Sequence, residues 1–424
     1  MIKKIIVLVT ILVSINSFAQ ENSISPYSFF GIGQVNEAQT VSEHMTGVGT
    51  ALNSPFKLHF SNPASLAALR FTTYTLAGEN IYTKVDDGTN QQATSAFGLS
   101  YLAVGFPVGK KAGFAFGLQP FSKVGYSILN SYKNTDDETE TNLYKGQGRT
   151  NRVFLSVGQK LPYNISVGLE TSYIFGSLDR TILWRNANRL DQLASYYQTD
   201  TQVSGWAFKF GAQHQYKIND KLVLKSGLSL LLENKLTYKG DETLKSILNN
   251  PNSDLISPRD EVFNRAYEGN VTMPFKTNLS VGVGTDNKWF AGFEYDFQNA
   301  TTYSANFIQN NNFVKYVKAS NMAFGGFYIP KATSITNYWS RVTYSAGVHL
   351  KQTGLEINNT AIKDFGISCG VTLPSKRKLS NVNLGFDMGK RGEIKNNGLI
   401  KENYYNFRLS LSFNDKWFRK RKLD

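Results

Sequence analysis

The sequence predicts an all-β protein, a transmembrane antiparallel β-barrel of 14 strands with an N-terminal plug in its lumen. Three observations support this prediction. Apolar and polar residues alternate along many long segments, Phe, Tyr and Trp make up 13% of the 424 residues, and 35 residues are Gly. Alternation with a period of two is typical of strands with one apolar face, and aromatic residues favour strands over helices.

The first 19 residues have the features of a secretory signal peptide. Residues 1–4 are positively charged, residues 5–15 are apolar, and Ser17-Phe18-Ala19 is a small-x-small cleavage site. This apolar core is too short to span a membrane as a helix, and no later segment reaches the ~18 consecutive apolar residues of a membrane helix. We therefore expect residues 1–19 to be removed and the mature protein to lie in the outer membrane of a Gram-negative cell.

Residues 20–69 do not alternate and contain several Gly and Pro residues, including Gly47, Gly49, Pro55 and Pro63. Irregular backbone of this kind is stable at membrane depth only when a protein wall surrounds it. We therefore predict a hatch, or plug, inside the lumen. Residues 70–424 are predicted to form the barrel, ending in a short basic periplasmic tail.

Fourteen segments after residue 70 have strand-like alternation, and Tyr405–Phe413 in the last segment alternates without interruption. The segments are 70–83, 93–108, 111–128, 145–161, 164–184, 201–217, 221–239, 269–285, 288–305, 319–329, 341–353, 361–373, 380–391 and 402–414. In the leucine-rich segment, the residues expected to face lipid are Leu222, Leu224, Leu228, Leu230, Leu232 and Leu236. Those expected to face the lumen are Lys225, Ser229, Glu233, Lys235 and Thr237.

A secreted β-sandwich would also alternate, so the chemistry of the polar face decides between the two folds. The polar positions are rich in Gly, Ser, Asn and Gln, which suits a crowded lumen better than a surface facing bulk water. The segments are roughly 10 to 18 residues long, against ~5–6 for ordinary strands. Tilted membrane strands need ~9–11 residues to cross the bilayer. The barrel is therefore favoured.

The links between the predicted strands alternate between short and long. The short links are 109–110, 162–163, 219–220, 286–287, 330–340 and 374–379, and the long loops are 129–144, 185–200, 240–268, 306–318, 354–360 and 392–401. This asymmetry is typical of outer-membrane barrels, whose short turns are periplasmic. Two long loops also carry apolar residues at helical spacing, within residues 188–197 of one and 243–250 of the other. We predict short amphipathic helices there, the alternative being loops that pack on their own side chains.

The segment before the first strand resembles a known hatch. Gly47-Val48-Gly49-Thr50-Ala51, followed by Phe60-Ser61-Asn62-Pro63-Ala64-Ser65-Leu66, is similar to the hatch of FadL-type long-chain fatty-acid transporters. In that family, an Asn-Pro-Ala sequence stands just before the first strand of a 14-stranded barrel, and the matching residues here are Asn62, Pro63 and Ala64. A similar hatch pattern occurs in a barrel partner of the type 9 secretion translocon.

The resemblance also implies a route for hydrophobic cargo. In the family, helices in the loops after the fifth and seventh strands form a hydrophobic entry groove, and a kinked third strand opens the wall laterally. The candidate groove residues here are Leu190, Leu193, Leu244, Ile247 and Leu248. Pro120 in the third strand is the candidate wall break, because proline has no N–H to donate to the strand ladder.

No motif predicts catalysis, a metal site or a cofactor. One Cys and four scattered His exclude a Cys-based or His-rich metal site. Gly366-Ile367-Ser368-Cys369-Gly370 matches G-x-S-x-G, but alternation continues through it and no His follows His349, so a nucleophile elbow is not expected. We therefore expect that the protein is not an enzyme.

The formal net charge of +14 has a preferred location. Basic clusters at 110–111, 376–378 and 416–422 all fall at the short-turn end, where Trp289, Trp339, Trp417 and Phe418 predict an interfacial aromatic girdle. An exported barrel meets no nucleic acid there, so we expect contact with lipid phosphates or an acidic protein partner, simple solvation being the alternative.

Two functions follow from these patterns. The first is a passive channel that takes up a hydrophobic small molecule. The second is a non-transporting subunit of a larger outer-membrane secretion or barrel-assembly complex, with a permanent plug. The charges predicted in the lumen distinguish them, because a salt-bridged interior would hold the plug fixed. The charges are Lys209, Lys225, Glu233, Lys235, Glu294, Asp296, Asp387 and Arg408.

Overall fold

The computed structural model describes residues 25–29, 31–35, 45, 47–189, 191–249, 258–304, 314–375, 380–395 and 398–416. The predicted signal peptide lies outside these ranges, as does most of the basic tail. No helix within them has both the length and the hydropathy required to cross a bilayer.

The described residues form one antiparallel sheet of 19 strand segments and three short 3-10 helices. The first segments are β1 (Gln34–Val35), β2 (Thr72–Asp86), β3 (Gln91–Val108), β4 (Ala112–Lys133), β5 (Thr139–Lys160), β6 (Ile165–Asn186), β7 (Leu193–Lys217), β8 (Val223–Leu231), β9 (Asn234–Leu248) and β10 (Pro258–Met273). The others are β11 (Lys276–Thr285), β12 (Trp289–Gln298), β13 (Thr302–Tyr303), β14 (Val314–Tyr316), β15 (Ala319–Tyr328), β16 (Thr343–Ile357), β17 (Thr360–Pro374), β18 (Asn381–Lys395) and β19 (Leu399–Asp415). The 3-10 helices are Pro26–Phe29, Pro63–Ala68 and Trp339–Arg341.

The sheet closes into a 14-stranded barrel, as predicted. Closure is made by β19 and β2, which pair along the whole of β2, from Thr72 to Asp86. Four barrel strands consist of two segments each: β8 with β9, β10 with β11, β12 with β13, and β14 with β15. Closure gives the first and last strands a partner, which removes the exposed edges of an open sheet.

The two faces of the barrel differ as the alternation predicts. Exposed apolar side chains cover the outside, including Phe208, Phe293 and Phe407. Buried polar side chains point inward, including Glu170, Asp296 and Asn406. A large apolar outer surface beside a polar interior is the arrangement expected of a barrel surrounded by lipid.

In the leucine-rich segment, the side chains after residue 231 do not face the sides that the alternation predicted. The segment is interrupted at Leu232 and Glu233, between β8 and β9. Above this interruption Leu236 is buried inside the barrel, whereas Glu233 and Lys235 are exposed. The prediction for these three residues was therefore wrong. A local irregularity that shifts the register by one residue exchanges the two faces of a strand.

Within the described residues, much of the predicted long loops is strand. β4, β5 and β6 have 22 residues each and β7 has 25, so these strands continue well beyond the length needed to cross a bilayer. The helices predicted over 188–197 and 243–250 are also wrong, because β7 and β9 pair there, from Leu193 with Leu248 to Ser204 with Thr237. Backbone pairing with a neighbouring strand overrides the weak local helical pattern.

The G-x-S-x-G segment lies within β17. Ser368 is buried and Cys369 is exposed, as expected of successive residues in a strand. The segment therefore lacks the strand-to-helix turn of a nucleophile elbow.

Candidate functional site

Asn62, Pro63 and Ala64 form the centre of the hatch segment, which comprises Met45 and residues 47–69. Asn62 is the N-cap of the 3-10 helix Pro63–Ala68, and its side-chain oxygen accepts a hydrogen bond from the Ala64 N–H at 3.0 Å. Proline suits the first helical position because it has no N–H that would lack a partner. The Asn-Pro-Ala sequence therefore sets the turn of the chain before the first barrel strand.

The Asn62 side chain also joins the hatch segment to the barrel wall. Its Nδ2 donates to the carbonyl oxygens of Thr50 at 2.9 Å, Ala212 at 3.0 Å and Leu228 at 3.1 Å. Ala212 lies in β7 and Leu228 in β8, and Asn62 itself is fully buried. Gln213, also in β7, donates to the carbonyl oxygens of Thr50 and Leu52 at 2.8 and 2.9 Å. One buried amide thus connects the hatch segment with two wall strands.

Glu294 in β12 holds the other part of the hatch segment. Its Oε2 accepts hydrogen bonds from the N–H groups of Gly49 at 2.8 Å and Thr50 at 2.9 Å, and its Oε1 accepts one from the Thr50 hydroxyl at 2.7 Å. Only 1% of Glu294 is exposed. Three hydrogen bonds from the hatch segment converge on this one buried carboxyl group, so the contact is a principal attachment of the hatch.

Two rows of glycine on the inner wall bring the hatch backbone against the barrel. Gly113, Gly158, Gly168 and Gly211 are paired directly across β4, β5, β6 and β7, and we call them the first glycine row. Gly292, Gly325 and Gly347 are paired across β12, β15 and β16 and form the second glycine row. A Cβ at any residue of the first row would lie within 3.0 Å of an atom of residues 62–67. A Cβ at Gly325 or Gly347 would meet Met45 equally closely.

Ion pairs above the hatch complete its attachment. Lys209 Nζ lies 3.1 Å from a Glu170 carboxylate oxygen and donates to the Phe60 carbonyl oxygen at 3.1 Å. Arg152 pairs with the same carboxylate at 3.2 Å and donates to the Gln119 side-chain oxygen at 2.6 Å. A second group joins β4 to β2, β18 and β19 and consists of Lys123, Glu79, Asp387 and Arg408, with Lys123 Nζ 2.6 Å from Glu79.

The N-terminal segment, residues 25–29 and 31–35, crosses the lumen nearer the long-loop end. Its β1 pairs with β4, and the Ser25 N–H donates to the Gly125 carbonyl oxygen at 3.0 Å. Ser25 Oγ donates to Glu402, and the Tyr27 hydroxyl donates to the Ile400 carbonyl oxygen at 2.6 Å. Ile32 packs in an apolar cluster with inward side chains from β4 to β10. The segment therefore links β4 with β19 across the lumen.

A cavity of about 490 Å³ lies between the two segments. Phe60 and Gly47 of the hatch segment and Tyr27 and Gly33 of the N-terminal segment line it, together with the inner wall. Its wall carries both charges and apolar groups, among them Glu79, Arg152, Phe121, Leu231, Met273 and Arg408. This cavity could hold a ligand within the described part of the lumen.

The barrel wall has a seam between β3 and β4. The two strands pair only from Val108 with Ala112 to Leu102 with Leu118. Beyond this point β3 continues beside β2 and β4 continues beside β5. Residues 119–126 of β4 are all buried, which shows that the strand turns into the lumen. Since β5 pairs with β4 along its whole length, β1 occupies the edge that β3 leaves.

Pro120 stands where the seam begins. A register shift between Pro120 and Ser122 interrupts the β4–β5 ladder at this point. Gln119, Pro120 and Phe121 also line the cavity, so the seam adjoins the space between the two segments. A role of Pro120 in releasing cargo stays a prediction.

The structure does not bring the predicted groove residues onto one face. Leu190 lies outside the described residues. Leu193 and Leu248 are paired and about half exposed, whereas Ile247 is buried inside. Leu244 pairs with Tyr197. The predicted helices of the groove are therefore wrong, because these residues lie in paired strands. That any of these residues binds cargo remains a prediction.

The sequence did not show how the hatch segment is attached. Glu294 was among the lumen charges expected to hold the plug through salt bridges, but its hydrogen bonds to the N–H groups of Gly49 and Thr50 were not predicted, and neither glycine row was recognised. A signal for the rows was present, because Gly occurs at polar-face positions of several consecutive strands. The alternation could not show which of these glycines lie side by side, since that depends on the register between strands.

Solved structures with the same fold come from outer-membrane channels. A FadL homologue of Pseudomonas aeruginosa is 13% identical, with a TM-score of 0.60 over 90% of this chain and 99% of that chain. The toluene transporter TodX of P. putida is 14% identical, with a TM-score of 0.57 over 94% and 100%. The toluene transporter TbuX of Ralstonia pickettii is 13% identical, with a TM-score of 0.56 over 93% and 99%. The FadL-type fold is thereby confirmed.

Sequence comparison identifies the family. No curated protein matches the chain. The BamG family model matches it over residues 1–424, that is, over its whole length. The 14-stranded barrel described above is therefore the fold of a chain that belongs to the BamG family.

Proposed function

We propose that the protein is an outer-membrane channel through which hydrophobic compounds pass without an energy source. The short-turn end is placed in the periplasm, as in other outer-membrane barrels. Cargo enters from the long-loop end, occupies the cavity, and leaves through the seam between β3 and β4 into the bilayer. The protein performs no chemical reaction in this proposal.

The seam is the observation that carries the proposal. The hatch segment closes the direct route to the periplasm, because it is attached to the wall by Glu294, Asn62 and the first glycine row. The seam, in contrast, adjoins the cavity at Gln119 and Phe121. The fold similarity to toluene transporters supports a hydrophobic cargo for a barrel of this shape.

Transfer of toluene and of a fluorescent fatty acid into proteoliposomes tests the channel. Pro120→Val supplies an N–H at the seam and favours a straight β4, and hydrogen exchange over residues 119–126 reports whether the seam closes. Pro107→Val in β3, where the ladder with β4 is intact, is the matched control. We expect transfer to fall with Pro120→Val and to persist with the control. Unchanged transfer through a closed seam would show that the route is wrong.

A second function, a non-transporting subunit of an outer-membrane assembly or secretion complex, is favoured by the attachment of the hatch. The hydrogen bonds to Glu294 and Asn62 and the ion pairs of Lys209 and Arg152 all act to keep the plug in place. Purification from the native membrane in a mild detergent distinguishes the two functions. Stoichiometric protein partners together with absent toluene transfer would favour the subunit, and a barrel that is isolated alone and transfers toluene would favour the channel.

A further inference from the structure

The short-turn rim of the barrel is strongly basic. We define this rim as residues 109–111, 160–164, 217–222, 286–288, 329–342 and 415–416. These described residues contain nine Lys or Arg and three Asp, and one of the three, Asp286, is already paired with Lys225 at 3.3 Å. The rim therefore carries an excess of positive charge without counting the basic residues 376–378 and 419–422, which lie outside the described ranges.

The rim lysines are available to a partner. Lys110, Lys111, Lys160, Lys217, Lys221, Lys288, Lys331 and Lys416 are all exposed. None of these eight makes an ion pair with another described residue. At the long-loop end, by contrast, many basic side chains are neutralised by acidic neighbours. Examples are Lys133 with Asp137, Arg189 with Glu138, Lys239 with Glu268, and Lys395 with Glu393.

The rim is also continuous with the lipid-facing surface. Val108, Tyr216 and Tyr328 are exposed on the outside of strands that end at the rim. Tyr163 is 88% exposed, Trp339 65% and Ile335 97%. Aromatic side chains favour the boundary between lipid and water, where lysine can keep its stem in the apolar layer and its ammonium group among the head groups.

From these features we propose that the rim binds the phosphate groups of anionic phospholipids in the adjoining membrane leaflet. The lysines come from five hairpins and from the end of β19, so they surround the barrel rather than cluster on one side. A leaflet surrounds a barrel in the same way, whereas one protein partner would cover only one sector. Opposite charges attract lipid phosphate to each lysine near the surface, and the contributions add around the ring.

Lipid retention tests the proposal. The barrel is reconstituted into liposomes of equimolar phosphatidylcholine and phosphatidylglycerol and extracted in a mild detergent, and the lipid that stays bound is quantified by mass spectrometry. The rim variant carries Lys110→Gln, Lys160→Gln, Lys221→Gln and Lys288→Gln. The control variant carries Lys84→Gln, Lys318→Gln, Lys363→Gln and Lys390→Gln, which remove the same charge from exposed lysines away from the rim.

We expect the wild type and the control variant to retain phosphatidylglycerol in preference to phosphatidylcholine. In the rim variant, the ratio of bound phosphatidylglycerol to bound phosphatidylcholine should be about tenfold lower. The preference of the wild type should also fall as salt is raised, which needs no variant. Equal preference in all three proteins, or equal loss in both variants, would overturn the proposal. Loss of a co-purifying acidic protein from the rim variant, with lipid retention unchanged, would overturn it in favour of a protein partner.

Discussion

At the scale of single residues, the hatch is held by buried polar contacts that the wall provides. Glu294 illustrates the energetics, because three donors of the hatch segment converge on its carboxylate in a fully buried place. A buried carboxyl group without hydrogen-bond partners would be unfavourable. The Glu294 side chain and the hatch segment therefore stabilise each other.

We predict that Glu294→Ala lowers the free energy of unfolding of the barrel by roughly 1–3 kcal/mol, because the buried N–H groups of Gly49 and Thr50 lose their acceptor. Urea titration of the protein in detergent micelles measures the change. The control is Glu393→Ala, which removes an exposed acid whose ion pair among the described residues is with Lys395. Exposed pairs contribute ~0–1 kcal/mol, so an equal loss in both variants would contradict the attachment proposed for Glu294.

We also predict that Asn62→Ala combined with Pro63→Ala loosens the hatch without preventing assembly. The double variant removes the N-cap contact and the hydrogen bonds to Thr50, Ala212 and Leu228. Permeability to small sugars should rise in a liposome-swelling assay, because a loosened hatch no longer blocks the lumen of the barrel. Unchanged swelling would mean that Glu294 and the glycine rows hold the hatch by themselves.

At the scale of elements, the wall is shaped to receive the hatch. The first glycine row is straight because its four members are direct partners across β4, β5, β6 and β7. Because the first glycine row has no side chains, the inner wall has a shallow depression along it, and the backbone of residues 62–67 lies in this depression. Glycine is required at the row for space and not for its backbone freedom.

Gly168→Ala tests the glycine row. A Cβ at Gly168 would lie within 3.0 Å of Ala64 N and of the Pro63 carbonyl group, and a backbone atom cannot move aside easily. We expect a loss of roughly 1–3 kcal/mol in urea titration and a rise in sugar permeability. Gly78→Ala is the control, because its nearest atom is 3.5 Å from the added Cβ. Equal stability of the two variants would show that the hatch can shift at little cost.

At the scale of the whole molecule, the barrel is asymmetric in both shape and charge. Strands β4 to β7 are 22 to 25 residues long and extend the barrel at one end, whereas the other end carries the short links and exposed lysines that make no ion pair with another described residue. The orientation proposed here puts the tight turns in the periplasm, which follows the rule for outer-membrane barrels.

Two matched asparagine turns test this orientation. Asn358 lies in the turn between β16 and β17, and Asn287 in the turn between β11 and β12, and both have positive φ angles, 49° and 57°. We expect a short epitope inserted after Asn358 to be labelled by antibody on intact cells, and one after Asn287 to be labelled only after the outer membrane is permeabilised. The reverse labelling pattern would show that the short-turn end faces the outside of the cell and that the proposed orientation is wrong.

The sequence by itself was sufficient for the fold class, for the number of strands and for the position of the Asn-Pro-Ala turn. Each of these depends on local chemistry. A membrane strand must place apolar residues on alternate positions, and Asn62 and Pro63 form a helix cap from neighbouring residues alone. The alternation of Tyr405–Phe413 therefore predicted the outward aromatic residues of β19 correctly.

Only the tertiary structure decided which residues hold the hatch segment and how far the seam between β3 and β4 extends. Glu294 lies about 245 positions from Gly49 and Thr50 in the chain, and the glycine rows exist only once the strands are in register. The seam depends on β1 taking the edge of β4, and the faces of Leu236 and Lys235 depend on the break at Leu232. These features are set by which strands become neighbours and by their register, and a one-residue change in register exchanges the two faces of a strand.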